Sequence, residues 1–155
     1  MKILPALASA LILSLPLAAH ATSADDTPLA QWQSAPDTVF DAASIDIDAF
    51  KWTARPVIIF ADSPLDPAFQ TQLDNLFAEI EEAVERDIVI ITDTRPDDPS
   101  DLRQELRPRG FQMVLIGKDG GVKLRKPFPW DMRELSRTID KMPMRQREIS
   151  EARGG

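Results

Sequence analysis

Residues 55–93 read RPVIIFADSPLDPAFQTQLDNLFAEIEEAVERDIVIITD. Pro56-Val57-Ile58-Ile59-Phe60 is a continuous apolar run rich in β-branched side chains, which marks a strand covered on both faces. Pro67 suits the first turn of a helix. Phe69, Leu73, Leu76, Phe77, Ile80 and Val84 then recur at helical spacing, with Glu79, Glu81, Glu82 and Glu85 mostly off that stripe. Arg86-Asp87 closes the helix, and Ile88-Val89-Ile90-Ile91 is a second buried strand. Strand, long helix and strand make a βαβ unit, whose two strands should be parallel and its crossover right-handed.

Working outward, Asp93 to Ser100 is a polar loop broken by Pro96 and Pro99. Ser100 or Asp101 can cap a short helix through Arg107, stopped by Pro108 and Gly110. Met113-Val114-Leu115-Ile116 is a third strand. Asp119-Gly120 signals a hairpin whose two central residues take φ > 0. Val122-Lys123-Leu124-Arg125 alternates like an edge strand, putting Lys123 and Arg125 on one face. Asp131 and Glu134 have capping-box spacing, and Met132, Leu135, Ile139 and Met142 form the inward stripe of a last helix that Pro143 ends. The order β-α-β, short helix, β-β-α is thioredoxin-like and belongs to the α/β class. It implies a mixed central sheet with helices on both faces.

Before this unit, residues 1–21 read as a secretory signal. Lys2 precedes a proline-broken apolar run, and Ala19-His20-Ala21 gives a small-x-small cleavage site, so the mature chain is expected to start at Thr22 in the periplasm or outside the cell. Residues 22–49 are expected to be an N-terminal arm. Trp32, Phe40, Phe50 and Trp52 would anchor it to the core, and Ile45-Asp46-Ile47-Asp48 would form a short edge strand. Residues 50–148 would be the thioredoxin-like domain, and 149–155 a flexible tail.

The whole sequence has no cysteine, no tyrosine and one histidine, His20, inside the expected leader. That excludes thiol redox chemistry, cysteine-ligated metals and, after cleavage, histidine acid–base catalysis. Ser63 near a strand end has neither a histidine nor a nearby lysine as base. No catalytic residue, metal or cofactor is therefore expected. Charge is uneven: residues 22–101 carry 18 acids and 4 bases, residues 102–155 carry 13 bases and 7 acids. No aromatic residues interleave the bases, which argues against nucleic acid as a partner.

A resemblance sharpens this reading. Trp52 with Arg55-Pro56, Arg86-Asp87, the run Leu115-Ile116-Gly117-Lys118-Asp119-Gly120-Gly121-Val122-Lys123, and Ile139-Asp140-Lys141-Met142-Pro143-Met144-Arg145 are similar to a bacterial secreted family of unknown function. That family is related to the thioredoxin- and peroxiredoxin-like domains of sushi-repeat and coiled-coil-domain extracellular matrix proteins. The resemblance implies a thioredoxin-like fold over about residues 50–148. A redox thioredoxin carries its dithiol just after the first central strand. Laid onto this chain, Leu65 and Ala68 occupy the two sulfur positions, and the position of the facing cis-proline falls near Gln112. The resemblance thus implies a redox-silent relative.

Three groups of side chains are candidates for function. Asp62, Asp66 and Asp93 stand at strand ends, where open α/β sheets place ligands; helix capping accounts for such acids equally. Asp93, Asp97, Asp98 and Asp101 lack the spacing of a calcium loop and read as a solvated acidic loop. Lys118, Asp119, Lys123, Arg125, Lys126, Trp130, Arg133 and Arg137, with Met144, Arg145 and Glu148 of the C-terminal run, could hold an anionic group or peptide carboxylate. They could instead be neutralised by the acidic half, with Arg145 pairing to Glu148 or to an acid near Asp62. The expected function is an exported, redox-inactive module binding an envelope or extracellular protein, a peptide or a small ligand. The alternatives are a hydrolytic or metal-assisted enzyme using the strand-end carboxylates, or an envelope structural or stress protein.

Overall fold

The computed structural model describes residues 27–155. The expected signal segment lies outside them. Strands β1 (Val39–Asp41), β2 (Arg55–Phe60), β3 (Ile88–Asp93), β4 (Gln112–Ile116) and β5 (Val122–Lys126) form one sheet in the order β1-β3-β2-β4-β5. β1, β3 and β2 run parallel, and β4 and β5 continue antiparallel. The βαβ unit predicted from residues 55–93 is the centre of this sheet. β2 is buried at all six positions because it has strands on both edges and cover on both faces.

The alternation along each strand splits the core in two. Ile58, Phe60, Val89, Ile91 and Val114 point to the face covered by the arm and by helix α4 (Asp101–Leu106). Val57, Ile59, Ile88, Ile90, Met113 and Leu115 point to the face covered by α2 (Pro67–Ala78), α3 (Ile80–Glu85) and α5 (Met132–Asp140).

Several caps match the sequence reading. Asp66 accepts from the N–H groups of Ala68 and Phe69 at the start of α2. Ser100 accepts from Arg103 N–H, and Asp131 accepts from Glu134 N–H.

Other elements differ from expectation. The predicted long helix breaks at Glu79 into α2 and α3. The break moves the apolar stripe: Phe77 and Val84 are exposed, while Gln72 is fully buried. Gln72 is tolerated there because its amide donates to Trp130 O and accepts from Trp130 N–H. The edge strand is β1 rather than Ile45–Asp48, whose second half enters a 3-10 turn over Ile47–Phe50. β1 pairs with β3, so the arm is part of the sheet. A helix α1 (Pro28–Ser34), capped by Thr27, brings Trp32 inward to donate to Ile88 O. Trp52 is not an anchor: it is 64% exposed, at φ +66°. In the hairpin only Gly120 has positive φ. Gly120 N–H donates to Gly117 O, the geometry of a longer turn closed by a left-handed glycine. Pro143 does not end the chain's helical structure. It opens a further helix, α6 (Pro143–Gly154), that runs through the expected tail.

Candidate functional site

The mouth of the sheet, where β2 and β3 end, holds the turn onto which the family resemblance lays a thioredoxin's dithiol. Leu65 is 83% exposed, and Ala68 sits in the first turn of α2 beneath the Asp66 cap. The three strand-end acids have separate jobs. Asp66 caps α2. Asp93 is buried and accepts from Ser100 Oγ at 2.6 Å and Arg103 Nε at 2.9 Å. Burial pushes the Asp93 carboxyl up, but the Ser100 hydroxyl, the Arg95 N–H and the Arg103 guanidinium outweigh it and hold it below the usual range. Arg103 also donates to the carbonyls of Ala61 and Asp93 and lies over the Phe60 ring, tying α4 to the strand ends. Asp62 alone is exposed, 3.9 Å from Arg103.

At the opposite end of the sheet, Arg55 opens β2 with only 1% of its surface exposed. Its guanidinium donates to Arg86 O and to Glu148 Oε1, each at 2.9 Å, and lies 3.7 Å from Asp87. Lys118 Nζ joins Asp87 at 2.7 Å and Glu148 at 2.9 Å. Arg86 grips Asp140 with two hydrogen bonds and also reaches Glu82. Arg145 reaches Glu85 Oε1 at 2.9 Å and Asp140 Oδ1 at 3.4 Å. Its Nη1 is 3.6 Å from Glu148, so the local pair is the longer contact, and Asp62 lies at the other end of the sheet. Burial opposes ionisation of Asp140 and Glu148. Arg86 outweighs it at Asp140, and Lys118 and Arg55 outweigh it at Glu148, so both carboxyls stay below their ordinary values. The Arg-Pro, Arg-Asp, Gly-Lys-Asp-Gly and Asp-Lys-Met-Pro-Met-Arg runs thus meet in one ion network joining β2, α3, the hairpin, α5 and α6.

The basic candidates do not form one patch. Lys118, Arg145 and Glu148 belong to that network. Arg125, paired with Val114, lies on the sheet face that α4 covers and donates to Leu106 O, whereas a bulge at Lys123 breaks the expected alternation and Lys123 bonds Asp119 at 2.7 Å. The Lys123 hydrogen bond holds the Asp119 carboxyl below its usual range. The opposite face carries Lys126, stacked on Trp130 at 4.2 Å, with Arg133 and Arg137 on α5. Arg137 pairs with Glu134. Met144 is half-buried, and Met142 rather than Met144 packs against the core.

Sequence reasoning missed a groove. It runs between the arm, α4 and the hairpin, and its volume is 660 Å³. Ala54, Leu102, Leu106 and Ile116 form an apolar lining of buried core residues. Exposed Asp46, Asp48, Asp101 and Glu105, with Lys51, line its outer part. A signal was present: Ile45-Asp46-Ile47-Asp48 alternates, and a 3-10 turn still carries its acids outward.

A family of unknown function, DUF4174, matches residues 46–148. The chain belongs to the DUF4174 family. Among solved structures, the DUF4174 chain is similar to the reduced 2-Cys peroxiredoxin of Plasmodium vivax. The TM-score is 0.53 at 13% identity, over 66% of this chain and 85% of that one. The mitochondrial 2-Cys peroxiredoxin of Plasmodium falciparum gives a TM-score of 0.45 at 17% identity, over 62% and 79%. At this identity the first likeness establishes the fold alone: the DUF4174 domain is thioredoxin-like, of the kind peroxiredoxins share, and is built without cysteine.

Proposed function

We propose that this DUF4174 protein is exported and works by binding a peptide or protein partner in the groove, without redox chemistry. The observation that carries the reading is the groove itself, with an apolar floor, a polar rim and a volume in the range of ligand sites. Leu65 and Ala68 support its redox-silent half, since hydrocarbon stands at both dithiol-equivalent positions. The Asp62, Asp66 and Asp93 group supports hydrolysis poorly: one acid caps a helix and another is committed to Ser100 and Arg103. Of the basic hairpin residues, Lys118 and Lys123 are paired with acids within the fold, Arg125 donates to Leu106 O and Lys126 stacks on Trp130. Export rests on residues 1–21; the expected product in a secreting host begins at Thr22, which N-terminal sequencing checks.

The binding reading is tested with envelope extract and three baits: residues 22–155, the same chain carrying Ala43→Trp, and the chain carrying Lys123→Glu with Arg125→Glu. Ala43 is exposed and lines the groove, so the indole fills it. A partner lost with Ala43→Trp and kept by the hairpin reversal agrees with the proposal. The reverse pattern assigns binding to the basic face and defeats it.

A further inference from the structure

We propose that the occupant of this groove is a basic, amphipathic peptide segment, in which lysine or arginine alternates with apolar side chains. The inference rests on the groove being the binding site and adds the chemistry of what it binds.

The floor comes first. Ala54, Leu102, Leu106 and Ile116 line one depression, so apolar side chains of an occupant have a surface to cover. The rim decides the charge. Asp46 and Asp48 project from the arm, Asp101 and Glu105 from α4, and Lys51 is the one cation among the lining residues. Among the described residues, none of these four carboxylates forms an ion pair. The contrast with the ion network around Arg55 is sharp, where Glu82, Glu85, Asp87, Asp140 and Glu148 all meet arginine or lysine. The chain's own bases thus neutralise the acids of that network and leave the two walls of the groove negative. Carboxylates contributed by both the arm and α4 to one concave site raise the local concentration of cations. A basic segment would bring its charges between those walls and its apolar side chains onto the floor. Lys51, packed against the turn at Gly120, makes the hairpin end the least acidic part of the rim.

The test uses residues 22–155 and fluorescein-labelled hexapeptides that alternate leucine with lysine, serine or glutamate, read by anisotropy. The lysine peptide is expected to bind, and the glutamate peptide not. Added salt should weaken binding, and spermidine, a cation without apolar side chains, should compete poorly. Asp46→Asn, Asp48→Asn, Asp101→Asn and Glu105→Gln combined should weaken the lysine peptide about tenfold, from up to three exposed ion pairs, one for each lysine. Asp97→Asn with Asp98→Asn, in an acidic loop off the groove, should leave it unchanged. Glu105→Lys alone is the second variant if the combined one folds poorly. Serine or glutamate peptides binding as tightly as lysine, in a manner that Ala43→Trp abolishes, would keep the groove and overturn the basic occupant. Lysine-peptide binding that survives Ala43→Trp would overturn both, as would no binding by any peptide. Spermidine competing as well as the peptide would show charge without amphipathic recognition and also defeat the proposal.

Discussion

Arg55 illustrates how one side chain can be legible as a motif and opaque as chemistry. Arg55-Pro56 marks the start of a buried strand, yet nothing local reveals that the guanidinium is itself buried, because Glu148 lies 93 positions away. Arg55→Ala strips that corner of its central donor and leaves Glu148 and Asp87 short of a partner. It should cost about 2–3 kcal/mol, read from the urea midpoint, because charge-assisted hydrogen bonds and packing are lost while Lys118 still meets both partly exposed acids. Trp52 is the opposite case. A bulky residue in the left-handed region carries strain of about 1–2 kcal/mol, and this indole is too exposed to recover much by packing. Trp52→Asn should therefore raise stability by roughly 0.5–1 kcal/mol, since asparagine adopts this conformation more readily. A fall of more than about 1 kcal/mol on substitution would mean that the exposed ring is anchored after all.

At the scale of elements, the central βαβ unit and the capped starts of α2, α4 and α5 were readable, because each rests on short-range signals: apolar runs, proline at the first turn, Asp and Ser caps. What was not readable depended on distant packing. Phe77 and Val84 fit an ideal continuous stripe, but the break at Glu79 rotates them outward and leaves Gln72 facing Trp130. Pro143 is equally suited to following one helix and to starting another; the distant pairings of Arg145 with Glu85 and of Glu148 with Arg55 and Lys118 favour the second. The three acids at the strand mouth were readable, whereas the groove was not, since its walls come from separate parts of the chain. These facts make α6 a structural latch with unequal halves. Ending the chain after Glu148 keeps Arg145 and Glu148 and should change the urea midpoint little. Ending it after Met142 removes both, taking Glu148 from Arg55 and Lys118 and taking Arg145 from Glu85 and Asp140, so the loss should match or exceed that of Arg55→Ala. Equal midpoints for the two truncations would show that the latch contributes nothing.

Across the whole molecule, the acidic and basic halves of the sequence meet at the end of the sheet where Arg55 opens β2, and this sets a pH dependence. Asp93, Asp140 and Glu148 all have carboxyls held below the ordinary range in the fold. Unfolded carboxyls titrate at about 4, so in the acidic window the unfolded chain binds more protons than the folded one. Their stabilisation is complete above about pH 5 and is lost as pH falls through the lower, folded values. The melting temperature should be flat near neutrality and drop steadily below about pH 4, and Asp140→Asn should make that drop shallower.

The central claim is that ligand recognition has moved from the strand mouth to the groove on the arm side of the sheet. Hydrogen–deuterium exchange of residues 22–155, with and without the alternating lysine–leucine hexapeptide, tests it most directly. The account predicts slowed exchange in residues 42–51, 99–106 and 116–122, with residues 61–69 unaltered. Protection centred on residues 61–69, or on the hairpin and α5 instead, would contradict it.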